Sequence, residues 1–176
     1  MGTELDYDYD LLINAVREAG TIAKEFFGKT KKQWEKKLGE PVSEVDIKIN
    51  QFLKKRLLAK RSEYGWLSEE SPDNEDRLQK RKVWVIDPID GTRAYLKNEP
   101  EYSISAALLV DNKPTIGVVF NPQTEKFFHA LSGKGAKEGQ KKIKVSDVDQ
   151  LERSKIYISH LCNRLKNFAS TSAQRN

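Results

Sequence analysis

The chain reads as an α+β fold in which two N-terminal helices pack on a mainly antiparallel sheet. Three observations carry that reading: apolar residues at helical spacing in two segments before Tyr64, short β-branched and aromatic runs after it, and turn signals separating the later runs. In the first segment Leu11, Leu12, Ala15, Val16, Ala19, Ile22, Ala23, Phe26 and Phe27 recur at helical spacing, so Tyr7 to Phe27 is expected to be one amphipathic helix that Gly28 ends. A polar, lysine-rich stretch follows through Gly39. Ser43-Glu44-Val45-Asp46 then has the form of a helix start, with Ser43 as the cap and Asp46 at the third helical position. Ile47, Ile49, Phe52, Leu53, Leu57 and Leu58 supply the apolar side of this second helix.

Strands are expected at Gly65 to Ser68, Val83 to Asp87, Tyr102 to Val110, Thr115 to Phe120 and Lys126 to Ala130. Asp111-Asn112-Lys113-Pro114 and Asn121-Pro122-Gln123-Thr124 are turn signals, so the last three strands should form an antiparallel meander. Past Ser146 the pattern fades. Lys155 to Ser159 reads as one further strand, and Leu161, Leu165 and Phe168 as a short helix before a polar tail. The expected organisation is an N-terminal domain over residues 1–150, with 151–176 either the shortened start of a second domain or an unrelated tail.

Composition narrows the function classes. A single cysteine, Cys162, rules out an internal disulfide, and His129 and His160 are isolated from each other in sequence, so there is no Cys/His cluster for zinc. Any metal is then held by oxygen, which favours magnesium or manganese. No apolar run approaches the roughly 18 residues of a membrane span, and the acidic start lacks the pattern of a signal peptide, so a cytoplasmic protein is expected. The net charge of +5 comes from runs such as Lys29 to Lys37 and Lys137 to Lys144. Without a nucleic-acid motif or interleaved aromatics, these runs are read as solvated faces or as attraction for a phosphorylated small molecule, with no nucleic-acid polymer or membrane as partner.

The residues that carry chemistry lie at strand ends. Asp87-Pro88-Ile89-Asp90-Gly91-Thr92 closes the buried run Val83-Trp84-Val85-Ile86. Pro88 fixes one φ and Gly91 permits a tight turn, so Asp87 and Asp90 can converge, and two carboxylates so placed repel each other unless a cation sits between them. Asp-Pro and Asp-Gly are also ordinary turn dipeptides. A second acidic pair, Glu69-Glu70, ends another apolar run. Thr92 precedes Arg93-Ala94-Tyr95-Leu96, the start of a short helix, whose first amides, those of Gly91 and Thr92, suit a phosphate group. Magnesium bridging these carboxylates would make the segment a hydrolytic site. Asp46 is open to two readings, as a capping partner or as a hydrogen-bond acceptor for the Thr92 hydroxyl.

Three motifs in order, Pro41-Val42-Ser43-Glu44-Val45-Asp46, Leu67-Ser68-Glu69-Glu70 and Trp84 through Thr92, resemble the lithium-sensitive, magnesium-dependent phosphatases typified by inositol monophosphatase and 3'(2'),5'-bisphosphate nucleotidase. Gly133-Lys134-Gly135-Ala136, Gly139 and Ile143-Lys144-Val145-Ser146 extend the resemblance to about Ser146. It implies the first domain of the carbohydrate-phosphatase-like fold. It also implies that Glu69, Asp87 and Asp90 bind Mg2+ (or Mn2+) through side chains and Ile89 through its carbonyl, with Glu70 holding water on a second ion. Asp46 and Thr92 would accept the proton, Gly91 and Thr92 would seat the phosphate, Lys36 or Lys37 would lie near a third ion, and Li+ would inhibit. Arg93-Ala94-Tyr95 after the Thr looks closest to bacterial bisphosphate nucleotidases, which release phosphate from adenosine 3',5'-bisphosphate. Inositol monophosphatase and histidinol-phosphate phosphatase activities are the alternatives, and a homodimer is left open. The family's second α/β domain, with a Trp-Asp motif that completes the metal site, is expected to be absent or vestigial here. The competing expectation is therefore a catalytically silent remnant or a metal-binding interaction module.

Overall fold

The computed structural model describes residues 2–29, 31–37 and 39–155. The chain divides into two compact units, Met1–Ile143 and Lys144–Asn176. In the second, a 3-10 turn at Leu151–Arg153 is described, and the strand and helix expected over residues 156–168 lie outside the described residues.

The first unit opens with α1 (Glu4–Phe26). It begins a turn earlier than the apolar spacing predicts, because Thr3 and Asp6 form a capping box on a stretch too polar to show periodicity. Phe27 caps the other end, and Gly28 follows at φ +76°. The lysine-rich stretch, which lacks any alternation, is a hairpin of β1 (Gln33–Lys37) and β2 (Glu40–Ser43). All five β1 residues are exposed, so no buried face marks the strand in the sequence. The hairpin runs directly into α2 (Glu44–Leu58), which starts as expected with Ser43 as cap and Asp46 in the capping box.

A seven-stranded sheet follows in chain order: β3 (Gly65–Ser68), β4 (Lys82–Asp90), β5 (Ser103–Val110), β6 (Lys113–Asn121), β7 (Lys126–Leu131), β8 (Gly135–Glu138) and β9 (Lys141–Ile143). From β4 onward every pairing is antiparallel, so the expected meander is present and continues two short strands further. The first pair, β3 with β4, is parallel, with Ser68 opposite Ile86. A five-residue helix, α3 (Thr92–Leu96), joins β4 to β5.

Helices α1 and α2 cover one face of the sheet. Leu12, Val16 and Ala19 of α1 and Ile49, Leu53 and Leu57 of α2 belong to one core with Trp84, Ile86, Ile104, Leu108, Ile116 and Val118. Alternate residues of β5 and β6 supply that face, as a period of two requires. Each large side chain so buried stabilises the fold by about 1.5–3 kcal/mol. Gly20 lets α1 approach β6, since a Cβ there would lie 2.3 Å from the Phe120 ring. Among the described residues no helix is long and apolar enough to cross a membrane.

Candidate metal and phosphate site

Parallel pairing of β3 with β4 places two strand ends side by side. Glu69 continues the ladder, its N–H donating to the Ile86 carbonyl at 3.2 Å, so the Glu69-Glu70 pair emerges next to Asp87. Along β4 the register slips: Asp87 faces Ser105 and Asp90 faces Ser103, three steps against two. The extra residue is a bulge at Pro88-Ile89, where a residue without an N–H is tolerated, and it returns Asp87 and Asp90 to one side of the strand. The sequence-based expectation that the two converge thus acquires a mechanism.

The charges press on one another. Burial first, then the charges of Glu69 and Asp90, push the Asp87 carboxyl up to about 7. Burial also raises Glu70, against the pull of Lys36. The ammonium of Lys36 lies 2.7 Å from Glu70 Oε1 and 3.3 Å from Glu69 Oε1, and the Glu70 side chain is only 4% exposed. Burial disfavours the charge on Lys36, yet Glu70 and Glu69 outweigh it and hold Lys36 above its ordinary value. Of the two lysines singled out in the sequence, it is Lys36 of β1 that reaches the acidic pair.

The other half of the site is built from helix starts. Asp46 is 1% exposed, and its two oxygens do different things. Oδ2 accepts from the Ser43 N–H at 2.9 Å and from the Ser43 hydroxyl at 2.5 Å, while Oδ1 accepts from the Thr92 hydroxyl at 3.1 Å. Both readings of Asp46 therefore hold together. Burial raises its carboxyl, and the Ser43 and Thr92 hydrogen bonds offset part of that rise. Thr92 has a second acceptor in the Ile89 carbonyl at 2.9 Å, so its one hydroxyl hydrogen is shared between the two. Gly91 precedes α3 at φ +89°, and a Cβ there would meet the Glu101 carbonyl oxygen at 2.8 Å, so only glycine fits the turn. A cavity of about 270 Å³ beside it is lined by Asp90, Gly91, Glu101, Tyr102, Ser103 and Asn121. Arg93 donates to the Gly39 carbonyl and so ties the hairpin to α3.

The donor set suits a hard cation: clustered carboxylates and carbonyls, with one ammonium against them. Among the described residues, though, no three Asp, Glu, His or Cys side chains stand together closely enough to hold an ion. The acidic groups meet through their charges, and Lys36 occupies the contact with two of them. Sequence reasoning did not single out Ser43 beyond its capping role, nor Asn50, whose amide donates to the Glu70 carbonyl at 3.2 Å. The spacing of Asn50, one helical turn after Asp46, was the available signal.

A model described as the inositol monophosphatase family matches residues 4–176, further than the resemblance to about Ser146 carried by the motifs. The chain belongs to this family. Among curated members, inositol monophosphatase 3 of Solanum lycopersicum is 31% identical over 159 residues, covering 89% of this chain and 59% of that protein. The 3'(2'),5'-bisphosphate nucleotidase CysQ of Aggregatibacter actinomycetemcomitans is 31% identical over 128 residues, covering 71% of this chain and 47% of that one. Among solved structures, the extragenic suppressor protein SuhB from Bartonella henselae superposes with a TM-score of 0.73 at 28% identity, over 79% of this chain and 54% of that one. The α+β architecture is thus that of the family, and the chain spans about half the length of the relatives it matches.

Proposed function

We propose that this chain carries the metal and proton-transfer half of a magnesium-dependent phosphomonoesterase acting on adenosine 3',5'-bisphosphate, giving AMP and phosphate. The observation that carries the reading is the hydrogen bond from Thr92 to Asp46, beside the carboxylates of Glu69, Glu70, Asp87 and Asp90. Glu69, Asp87 and Asp90, which do not stand close enough together here to hold an ion, would have to draw in to bind Mg2+ or Mn2+ with the Ile89 carbonyl, and the ion would supply charge for the phosphoryl oxygens and a more acidic water. Glu70 would orient that water. Thr92 takes the proton of the attacking water as its own hydrogen passes to Asp46 Oδ1, and the Gly91 and Thr92 amides face the phosphate. The choice of a nucleotide bisphosphate rests on Arg93-Ala94-Tyr95 after the Asp-Gly-Thr motif and on the similarity to a CysQ nucleotidase. A cytoplasmic location, a small phosphorylated substrate and a metal-binding domain over residues 1–150 belong to the same proposal.

A second reading, a catalytically silent remnant, is favoured by Lys36, whose ammonium pairs with Glu69 and Glu70 where a cation would otherwise sit. Phosphate release from adenosine 3',5'-bisphosphate, inositol 1-phosphate and histidinol phosphate separates the readings. It is measured with and without Mg2+, with added Li+, and for Asp87→Asn. Release that needs Mg2+ and Asp87 and is greatest for the bisphosphate supports the enzyme; equal rates in all conditions refute it.

A further inference from the structure

Helix α2 brings a second polar side chain into the interior one turn after Asp46. Asn50 is 5% exposed. Its Nδ2 donates to the Glu70 carbonyl at 3.2 Å and to Ser71 Oγ at 2.9 Å. Its Oδ1 is buried with no hydrogen-bond partner among the described residues. The orientation follows from chemistry, because exchanging the two atoms would set Oδ1 against the Glu70 carbonyl, two acceptors face to face.

What Asn50 grips is the turn that presents the acidic pair. Ser71 N–H donates to the Ser68 carbonyl at 3.3 Å, Glu70 N–H to Ser68 Oγ at 3.3 Å, and Glu69 N–H to Ile86 at 3.2 Å. Those three bonds fix the turn to β3 and β4, and Asn50 adds the tie to α2. Asp46 and Asn50, four residues apart, share one face of that helix. One of them reaches Thr92 and the other reaches Glu70.

We infer that Asn50 is a positioning residue: it fixes the Glu69-Glu70 turn from α2, so that one helix sets the spacing between the acidic pair and the Asp46–Thr92 pair. The consequence for metal binding rests on the reading that Glu69 is a ligand, whereas the fixing of the turn does not. Rigid supporting contacts of this kind commonly change metal affinity by about 10–100-fold when removed.

Asn50→Leu keeps the side-chain shape and removes both the donor and the unpaired acceptor. In metal-free protein the Glu70 and Ser71 amides should then exchange hydrogen at least about tenfold faster, while amides of α2 stay unchanged. Calorimetric titration with Mg2+ should show about tenfold weaker binding than wild type. Asn50→Asp, which keeps the shape without the N–H donor, gives the same exchange result should the leucine variant fail to fold. Exchange within twofold of wild type overturns the inference. So does equal acceleration in the turn and in α2, or a loosened turn with unchanged Mg2+ binding. A wild-type chain that takes up no Mg2+ removes the metal reading alone, and the exchange measurement then decides this one.

Discussion

Thr92 donates to Oδ1 of Asp46 at 3.1 Å, and Ser43 holds Oδ2 of the same carboxylate with two hydrogen bonds. A capping interaction thereby orients the acceptor that faces Thr92, and the local chemistry of a helix start becomes part of the site. Thr92→Val keeps the β-branched shape and deletes the hydroxyl. Phosphate release in Mg2+ should fall on the order of 10²-fold, the usual scale for a lost proton-transfer group. Unfolding free energy should fall by about 1.5–3 kcal/mol, the worth of a hydrogen bond to a charged group, and the chain should stay folded. A variant that loses stability in proportion to activity would assign Thr92 a packing role only.

The acidic cluster makes the metal-free protein sensitive to pH. Burial and the charges of Glu69 and Asp90 raise Asp87 to about 7, against roughly 3.9 for an aspartate in an unfolded chain. Between those values the folded state keeps a proton that the unfolded state has released. The contribution of Asp87 to stability is therefore greatest below about pH 4, declines as pH rises towards 7, and is flat above it. Urea unfolding in a chelator should show this decline for wild type and a shallower one for Asp87→Asn. On the proposed reading Mg2+ would bind the deprotonated carboxylates, so its stabilising effect should grow across the same window. Parallel curves for the two proteins would show that Asp87 is not the titrating group.

Much of the fold was legible because its signals are local. Apolar spacing marks α1 and α2, Ser43 and Asp46 mark a helix start, and turn residues separate β5, β6 and β7. The first turn of α1 carried a readable cap in Thr3 and Asp6, but its polar residues hid it from an apolar count. The β1–β2 hairpin was illegible for a different reason: a strand exposed on both sides has no alternation to read. The site residues could be picked out as carboxylates at strand ends. What brings them together, the parallel pairing of β3 with β4 and the bulge at Pro88-Ile89, is a long-range relation that periodicity does not encode. Asn50 was hidden because an asparagine on a helix is ordinary until its partner across the site is known.

Gly91 is the point where backbone geometry limits the site. At φ +89° a side chain is strained, and a Cβ would press on the Glu101 carbonyl oxygen at 2.8 Å. Gly91→Ala should cost about 1–3 kcal/mol or more and displace the start of α3. Since Thr92 begins that helix, phosphate release should fall together with stability. Urea unfolding and turnover measured on the same preparations test this, and an alanine variant with wild-type values for both would remove the constraint.

The buried charge network at the other end of β4 should affect stability without affecting the site. Asp8 is 0% exposed and accepts from Arg61 Nε at 2.5 Å, the Tyr64 hydroxyl at 2.7 Å and Lys82 Nζ at 3.2 Å. Burial pushes Tyr64 up to about 12, so it remains a donor at neutral pH. Asp8→Leu leaves Arg61 and Lys82 without their shared buried partner, which should cost about 3–5 kcal/mol. Asp8→Asn keeps acceptor capacity and should cost less, about 1.5–3 kcal/mol for weakened bonds to charged donors. Lys82 begins β4 and Asp87 lies five positions along it, roughly 17 Å at 3.3 Å per residue. At that separation, Mg2+ affinity and phosphate release of the folded Asp8→Asn protein should match wild type, because the network anchors α1 to the sheet without touching the carboxylates. Calorimetric titration beside urea unfolding checks this, and an Asp8→Asn protein of wild-type stability with weakened Mg2+ binding would instead make the network part of the site.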